Sequence, residues 1–402
     1  MTRSPLGQPS DKQPTPQSKA GMVAVSRVWV EIVDNLDDLA VLESEWDALL
    51  LRQTRPVPMS SYAWLSAYFE YRMRPGQRWV CLVARLAGQL VGILPLVAFT
   101  RKKWKWTLPI LLTPYDSHTY SVDMVIAPEC AEMVVPAFVK ALSQVSPGWF
   151  KLRMIRLAAD SPALAFIPNG LGQVGAIHEL CDAESVLNVE GPFDSYLANL
   201  SRSFRRTLRR NHRKLDEVAD VSFLVQSEDR LNEALKRLVE VEARSWRADS
   251  GSDLGSHPAL MKSHQAMIER MQGQGRIQFF FLNFGDTTVA AQMGFRLGAN
   301  LIIKKVTFRE DFADYSPGNM LFEWVLKCAF EDPSIRLVNC LTDMPWHAFW
   351  KMQTRANYHL ALYNRRPLPL LTGFLPLRAK QLAHYIPGMA KLYRWWQERR
   401  KS

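Results

Sequence analysis

The sequence lacks the features that mark several large classes of protein. Its five cysteines form no CxxC pair, so neither a disulfide framework nor a zinc ribbon is expected, and a reducing compartment fits best. No apolar run approaches the roughly 18 residues that cross a bilayer. The polar, proline-rich first 25 residues contain no apolar stretch typical of a signal peptide. We therefore expect a cytoplasmic protein that begins with a disordered tail.

Several catalytic and ligand-binding motifs are also missing. GxSxG, HExxH and GxxxxGK[ST] do not occur, and the eight histidines show no metal spacing, so neither those enzyme classes nor a bound metal is expected. A GxGxxG does occur at Gly170, Gly172 and Gly175. Pro162 and Pro168 interrupt the segment before it, where a dinucleotide-binding fold requires a strand. We interpret this motif as a loop.

What the sequence does have is ample core material and an uneven distribution of charge. Of its 402 residues 48% are hydrophobic, which is enough for two or three domains. The net charge is +11, yet seven basic residues and no acid fall within 202–214, and nine basic residues against one acid fall within 365–402. The rest of the chain is therefore slightly acidic. The positive charge belongs to two local segments.

Two parts of the chain repeat the same order of predicted elements, namely strand, helix, helix and hairpin. The hairpins at 78–99 and 276–297 align without a gap at an offset of 198 residues. Other helices are predicted over about 129–143, 229–246 and 258–272. We predict two copies of one α/β unit. The expected divisions are a tail over 1–25, halves over 26–190 and 191–370, and a basic amphipathic helix over 371–402.

Residues 201–215 predict a helix with two distinct faces. Phe204, Leu208, Asn211 and Leu215 fall on one side, and five arginines fall on the other. Such an arginine face fits either a solvated surface or a grip on phosphates. The candidate substrate contacts are Arg205, Arg209, Trp246 and Trp350. The tail over 371–402, which mixes tryptophan and leucine with basic residues, fits either peripheral membrane contact or a packed terminal helix.

Two further segments carry residues suited to chemistry. Ser316 and Pro317 are typical of the first positions of a helix, and Gly318 would let a ligand approach the backbone. A helix start of this kind fits a phosphate site or an ordinary capped helix. Asp343 and His347 follow a predicted strand and are candidate acid and base groups. A histidine beside tryptophan is equally typical of a packed residue.

The order of these segments resembles a known family. SRSFRRTLRRNHRKL, EARSW, a hairpin, a strand ending in Lys304-Lys305 and YSPGNMLFEWVLK together resemble the acetyltransferase domain of the cellulose-biosynthesis CelD type, over 192–362 and more weakly over 27–190. That family belongs to the GNAT superfamily and is related in architecture to the Fem-type aminoacyl transferases. The resemblance implies an α/β (α+β) fold of tandem GNAT-like domains, with mixed, mostly antiparallel sheets flanked by helices.

The resemblance also implies an activity, an acyl-CoA-dependent acyltransferase acting on an amine or hydroxyl of a sugar, an envelope or exopolysaccharide precursor or a related small molecule. Acetyl-CoA or another acyl-CoA is the implied co-substrate, without a metal. By analogy its phosphates lie on Ser316, Gly318, Asn319 and Met320, and its acyl carbonyl lies against Lys304, Lys305 and Val306. The family commonly has an aspartate where this chain has Asn339, so either Asp343 and His347 replace the usual catalytic groups, with His347 as the base, or the activity has been lost.

Two alternatives remain open at this point. One is a Fem-type transferase that uses aminoacyl-tRNA, in which the basic helix supplies the nucleic-acid contact, although nucleic acid is the less expected partner. The other is a non-catalytic adaptor that uses the GNAT scaffold at the inner membrane face through residues 371–402.

Overall fold

The computed structural model describes residues 28–383 except 104, 169, 173, 250 and 252. The predicted tail over 1–25 and most of the basic segment over 371–402 lie outside the described residues. The helices are α1 (Leu36–Val41), α2 (Glu43–Leu51), α3 (Tyr62–Tyr71), α4 (Ala131–Val145), α5 (Pro162–Phe166), α6 (Phe193–Asn199), α7 (Arg202–Asp216), α8 (Leu231–Glu242), α9 (Trp246–Asp249), α10 (Pro258–Met271), α11 (Pro317–Glu331), α12 (Pro367–Pro369) and α13 (Leu375–Ala383).

Fourteen strands of the described chain form one sheet. They are β1 (Trp29–Val33), β2 (Arg78–Leu86), β3 (Gln89–Lys103), β4 (Trp106–Leu112), β5 (Val125–Ile126), β6 (Lys151–Ala158), β7 (Gly170–Leu171), β8 (Val174–Asn188), β9 (Val221–Gln226), β10 (Ile277–Phe284), β11 (Thr287–Leu297), β12 (Asn300–Phe308), β13 (Leu337–Asn339) and β14 (Gln353–Asn364). Their order is β1-β2-β3-β4-β6-β14-β8-β13-β12-β11-β10-β9, with β5 beside β3 and β7 beside β8. Only the β4–β6 and β12–β13 pairs of this sheet are parallel. The predicted mixed, mostly antiparallel α/β fold is confirmed.

The two halves repeat each other in the register of their hairpins. Each hairpin has a bulge, which falls between Ala84 and Arg85 in β2 and between Leu282 and Asn283 in β10. Adding the offset of 198 to the first pair of residue numbers gives the second pair. Because a one-residue slip turns every side chain to the opposite face, a shared register and a shared bulge are strong signs of a repeated unit.

The last strand of each half lies beside the other half. β8, which ends the first half, pairs with β13 of the second, and β14, which ends the second half, pairs with β6 of the first. β8 and β14 also pair with each other over most of their length, from Val186 opposite Gln353 to Val174 opposite Asn364. The two halves therefore share one continuous sheet.

The helices cover the sheet as their patterns of apolar residues require. In α7 the buried residues are Phe204, Leu208, Asn211 and Leu215, as predicted. The long helix predicted over 229–246 is in fact α8, which ends at Glu242, followed by the short α9. The GxGxxG segment was interpreted as a loop, but Gly170 lies in β7 and Gly175 lies opposite it in β8, so the motif spans a tight hairpin and opens no helix.

Helices α3 and α10 hold the two halves together. In the core between them, the ring of Trp64 packs edge-on against His264 and Phe295, with centroids 5.6 and 5.9 Å away. Ion pairing adds to this contact, since Arg276 Nη1 lies 2.5 Å from Asp47 Oδ2 across the halves. The central region between the halves is therefore an ordered part of the core.

Candidate functional site

The parallel strands β12 and β13 are hydrogen-bonded to each other only at the start of β12. They pair from Asn300 opposite Leu337 to Ile302 opposite Asn339, and beyond this point the ladder stops while β12 continues to Phe308. The residues expected to lie against the acyl carbonyl, Lys304, Lys305 and Val306, belong to the part of β12 that extends beyond β13 and stays paired with β11.

A bulge in β12 determines where its two lysines lie. Lys305 pairs with Met293 and Ile303 with Gly294, so Lys304 is the extra residue of the bulge. Lys305 forms a buried ion pair with Glu242 of α8. The ammonium of Lys304 lies 4.1 Å from the ring centroid of Tyr120, a residue of the first half. Both lysines are therefore buried side chains directed at the interior between the halves.

The start of α11 differs from the expected phosphate cradle. Ser316 occupies the N-cap position in a left-handed conformation (φ 53°), but its side chain accepts no capping hydrogen bond. The amides of Asn319 and Met320 both donate to the Ser316 carbonyl, at 3.0 and 3.2 Å. Gly318 faces the ring of Phe308, because a Cβ built on it would lie 3.1 Å from Phe308 Cδ1. Of the four predicted positions, Gly318 therefore offers the backbone N–H best suited to an anion.

The C-terminal end of helix α7 lies against the start of α11. Lys214 Nζ donates to the Asp314 carbonyl at 2.7 Å, and His212 Nε2 lies 3.0 Å from Glu323 Oε2. At a helical rise of about 1.5 Å per residue, Arg209 lies about 7 Å and Arg205 about 13 Å farther along α7. Lys214 is thus nearer to the start of α11 than the two arginines that we predicted.

The predicted acid and base, Asp343 and His347, have separate hydrogen bonds. Asp343 Oδ1 accepts from Ser185 Oγ at 2.6 Å, and His347 Nδ1 accepts from the Met344 amide at 3.1 Å. Burial lowers the pKa of His347 to about 4, and Asp343 acts in the opposite direction. Because His347 is 2% exposed, it is a neutral packed residue without access to a substrate in this conformation.

The two predicted tryptophans differ in their exposure. Trp350 is fully buried, with its ring edge-on to Phe204 and Phe322 at 4.9 and 5.3 Å between centroids. It therefore packs α7 against α11 and has no surface for a substrate to contact. Trp246 is 45% exposed, at the start of α9.

The sequence analysis missed a polar pocket of about 90 Å³ between the two halves. Its lining includes Arg55, Asp123, Arg156, Asp160, Glu184 and Asn339. Burial raises the pKa of Asp123 to about 6, while hydrogen bonds from Ser161 and the Met124 amide lower it and Asp160 raises it. Asn339 is the residue at which β12 and β13 separate. The available signal was the carboxylate of Asp123 within the strand-like segment SVDMVIA.

Neither a metal site nor a membrane span is found in the part of the chain that the structure describes. No group of three or more histidine, cysteine, aspartate or glutamate side chains there is suited to hold a metal ion. None of the described helices is both long and apolar enough to cross a bilayer.

Comparison with known proteins finds a family match in the second half of the chain. Residues 202–347 match the model of an acetyltransferase (GNAT) domain. The matched residues include α7, the β12 bulge and the start of α11. A search of curated protein sequences found no match.

Solved structures are similar to this chain over both halves. A crystal structure of FemX is 11% identical, covers 85% of this chain and 99% of its own, and has a TM-score of 0.57. A conserved protein of unknown function from Bacteroides thetaiotaomicron VPI-5482 is 12% identical, covers 83% of this chain and 100% of its own, and has a TM-score of 0.52. At such low identity these similarities support the fold alone.

Proposed function

We propose that this protein transfers an acyl group from an acyl-CoA to the amine or hydroxyl of a small acceptor, such as a sugar, envelope or exopolysaccharide precursor. The observation that carries the proposal is the continuation of β12 for six residues beyond the end of β13, within the matched GNAT segment. The long, thin arm of a CoA thioester would lie along this part of β12 and bond to its backbone.

The residues beside this part of β12 are suited to an anionic donor. The Gly318 amide and the positive end of the α11 dipole attract phosphate. Lys214 lies beside the same helix start, and Arg209 lies about one and a half turns away on the exposed side of α7. The backbone of Lys304, Lys305 and Val306 would hold the arm, with Ser316, Asn319 and Met320 shaping the turn. We do not assign the base to His347, because it is buried and bonded to its own backbone segment.

Donor binding is the first test of this proposal. Acetyl-CoA is expected to raise the melting temperature of the full-length protein by a few degrees, because a ligand at about 100 times its Kd stabilises the folded state by roughly 2.7 kcal/mol. The double variant Lys214→Glu/Arg209→Glu should lose most of this shift. Arg74→Glu, an exposed arginine of the first half, is the matched control and should keep it. The absence of any shift in the wild-type protein would contradict the proposal.

A Fem-type transferase that uses aminoacyl-tRNA is the second candidate. It is favoured by the fold shared with FemX and by the exposed arginines of α7. Phosphate contacts from this helix would make tRNA binding fall steeply with salt, with a log–log slope of about −0.9 for each contact on a duplex. A protein that binds acetyl-CoA but not tRNA excludes this candidate. The adaptor alternative depends on residues 371–402, most of which lie outside the described part.

A further inference from the structure

The polar pocket lies where the pairing of β12 with β13 ends. Asn339 is the last residue of the β12–β13 ladder and lines the pocket. Tyr120 lies next to this pocket, since its ring is 4.1 Å from Lys304 Nζ on one side and 5.3 Å from Arg156 Cζ on the other. A group bound in the pocket would therefore lie close to the acyl end of a donor along β12.

We infer that this pocket receives the primary amino group of the acceptor, and that Asp123 is the general base that removes its proton. The inference rests on the proposed acyl transfer and adds the class of acceptor and the identity of the base.

The charges that line the pocket favour an amine over an anion. Three carboxylates, Asp123, Asp160 and Glu184, face two guanidinium groups, Arg55 and Arg156. A cationic or neutral amine is therefore attracted here, and a phosphate or carboxylate is disfavoured.

The two arginines are already held by other carboxylates. Arg55 lies 3.3 Å from Asp160 and 3.3 Å from Glu184. Arg156 lies 2.8 Å from Asp182 and also donates to the Leu341 carbonyl at 2.8 Å. Among the described residues no ion pair involves Asp123, whose carboxylate accepts from the Met124 amide at 2.7 Å. Asp123 is therefore the carboxylate that remains for a ligand.

A second observation indicates that the pocket binds a polar ligand. Ser60 lines it and is 2% exposed, yet its hydroxyl has no hydrogen-bond partner within the described structure. A buried hydroxyl without a partner is costly, and a ligand donor or acceptor would satisfy it. The volume of about 90 Å³ fits several water molecules or the aminoalkyl end of a larger acceptor.

The protonation of Asp123 suits a general base. Its pKa of about 6 leaves the carboxylate mostly ionised at neutral pH, and still basic enough to hold a proton during the reaction. The groups that face it are Asp160 and Ser161, with Arg55, Glu184 and Arg156 across the pocket. Asp123 takes a proton from the bound ammonium, the neutral amine nitrogen attacks the thioester carbonyl, the carbon–sulfur bond breaks, and the second proton lost by the nitrogen passes to the departing thiolate. The products are an amide and free CoA.

The test measures the titration of the Asp123 carboxyl group by carbon NMR of the full-length protein labelled at its aspartate carboxyl carbons. The Asp123 signal is identified as the one that disappears in Asp123→Asn. Ethanolamine and glucosamine are the probes, and N-acetylglucosamine is the matched control because its amine is blocked. A bound ammonium stabilises the carboxylate. Both amines should therefore lower the pKa of Asp123, and N-acetylglucosamine should leave it unchanged. If neither amine shifts this titration, the inference is overturned, whether or not acetyl-CoA binds.

Kinetics with acetyl-CoA and the better amine provide the second measurement. Asp123→Asn should lower kcat/KM for the amine by about 10²- to 10⁴-fold, as expected for loss of a general base. It should also abolish the rise in rate through about pH 6 and leave the thermal shift by acetyl-CoA intact. Asp286→Asn, in an exposed turn of the second half, is the control expected to keep full activity. An unchanged pH profile in a folded Asp123→Asn protein that binds acetyl-CoA would overturn the inference alone. A failure to bind acetyl-CoA would instead overturn the proposed function.

Discussion

Trp350 and Phe349 are neighbours in the sequence that should respond very differently to truncation. Both lie in the short 3-10 helix Pro345–Trp350, and both contact Phe204 of α7. Trp350 is fully buried, whereas Phe349 is 58% exposed. The pair therefore provides a test and a control within one turn of the chain. We predict that Trp350→Ala destabilises the fold far more than Phe349→Ala.

The size of the effect follows from the buried area. A large aromatic side chain buries about 150–250 Å². At about 25 cal/mol per Å² this corresponds to about 4–6 kcal/mol, and measured truncations of buried tryptophan or phenylalanine cost about 3–5 kcal/mol. Phe349 buries about two-fifths of its surface. Its truncation should therefore cost about 2 kcal/mol at most, because such areas are upper bounds.

Denaturant unfolding, followed by tryptophan fluorescence and by circular dichroism, measures both costs. We expect a loss of about 3–5 kcal/mol for Trp350→Ala. Trp350→Phe should lose less, because it keeps a ring between α7 and α11. If Trp350→Ala were as stable as Phe349→Ala, Trp350 could not be a central packing residue. Its predicted role in contacting a substrate would then regain support.

Three further predictions concern stability. Lys305→Met removes a buried cation that pairs with Glu242 and should cost up to about 3–5 kcal/mol in denaturant unfolding. Adding Glu242→Gln should recover part of this loss, and a strictly additive double variant would contradict the reasoning. Gly92→Ala should lower the free energy of unfolding by about 1–3 kcal/mol, because a Cβ at this position would lie 2.7 Å from a side chain of α4. An unchanged melting temperature would contradict this prediction and show that α4 can shift to make room. The hydrogen bond to Glu323 raises the pKa of His212. The stability that this bond contributes is therefore complete below the ordinary pKa of about 6.5 and is lost as the pH rises through the raised pKa. The melting-temperature difference between wild type and His212→Gln should be larger at pH 6 than at pH 9, and equal differences would refute this prediction.

Local patterns in the sequence predicted much of the fold. The arginine and apolar faces of α7 and the gapless hairpin repeat depend on neighbours close in sequence, which periodicity reveals. The strands β8 and β14 were not predicted, although they lie at the centre of the sheet. In β8 the middle of the strand, near Leu180, is exposed and polar, so it lacks the apolar alternation of a half-buried strand.

The candidate site was predicted only in part, for a related reason. The sequence correctly predicted that a helix, α11, begins after a strand, because its Ser-Pro-Gly start is a local signal. The polar pocket was missed because Arg55, Asp123, Glu184 and Asn339 come from distant parts of the chain and meet only through tertiary contacts. Conversely, Asp343 and His347 are close in sequence, yet their hydrogen bonds lead to different partners. Proximity in sequence did not place these two side chains in a hydrogen bond with each other.

The exchange of β8 and β14 has a consequence for any attempt to divide the molecule. A cut after residue 190 would give two fragments, each of which carries the strand that borders the other's sheet. Neither fragment alone would present a finished sheet, and each would expose an open edge ready to pair with another chain. Mixed together, they should reassemble as a split protein. The two halves are thus interdependent partners encoded in one chain, and the polar pocket between them exists only when both are present.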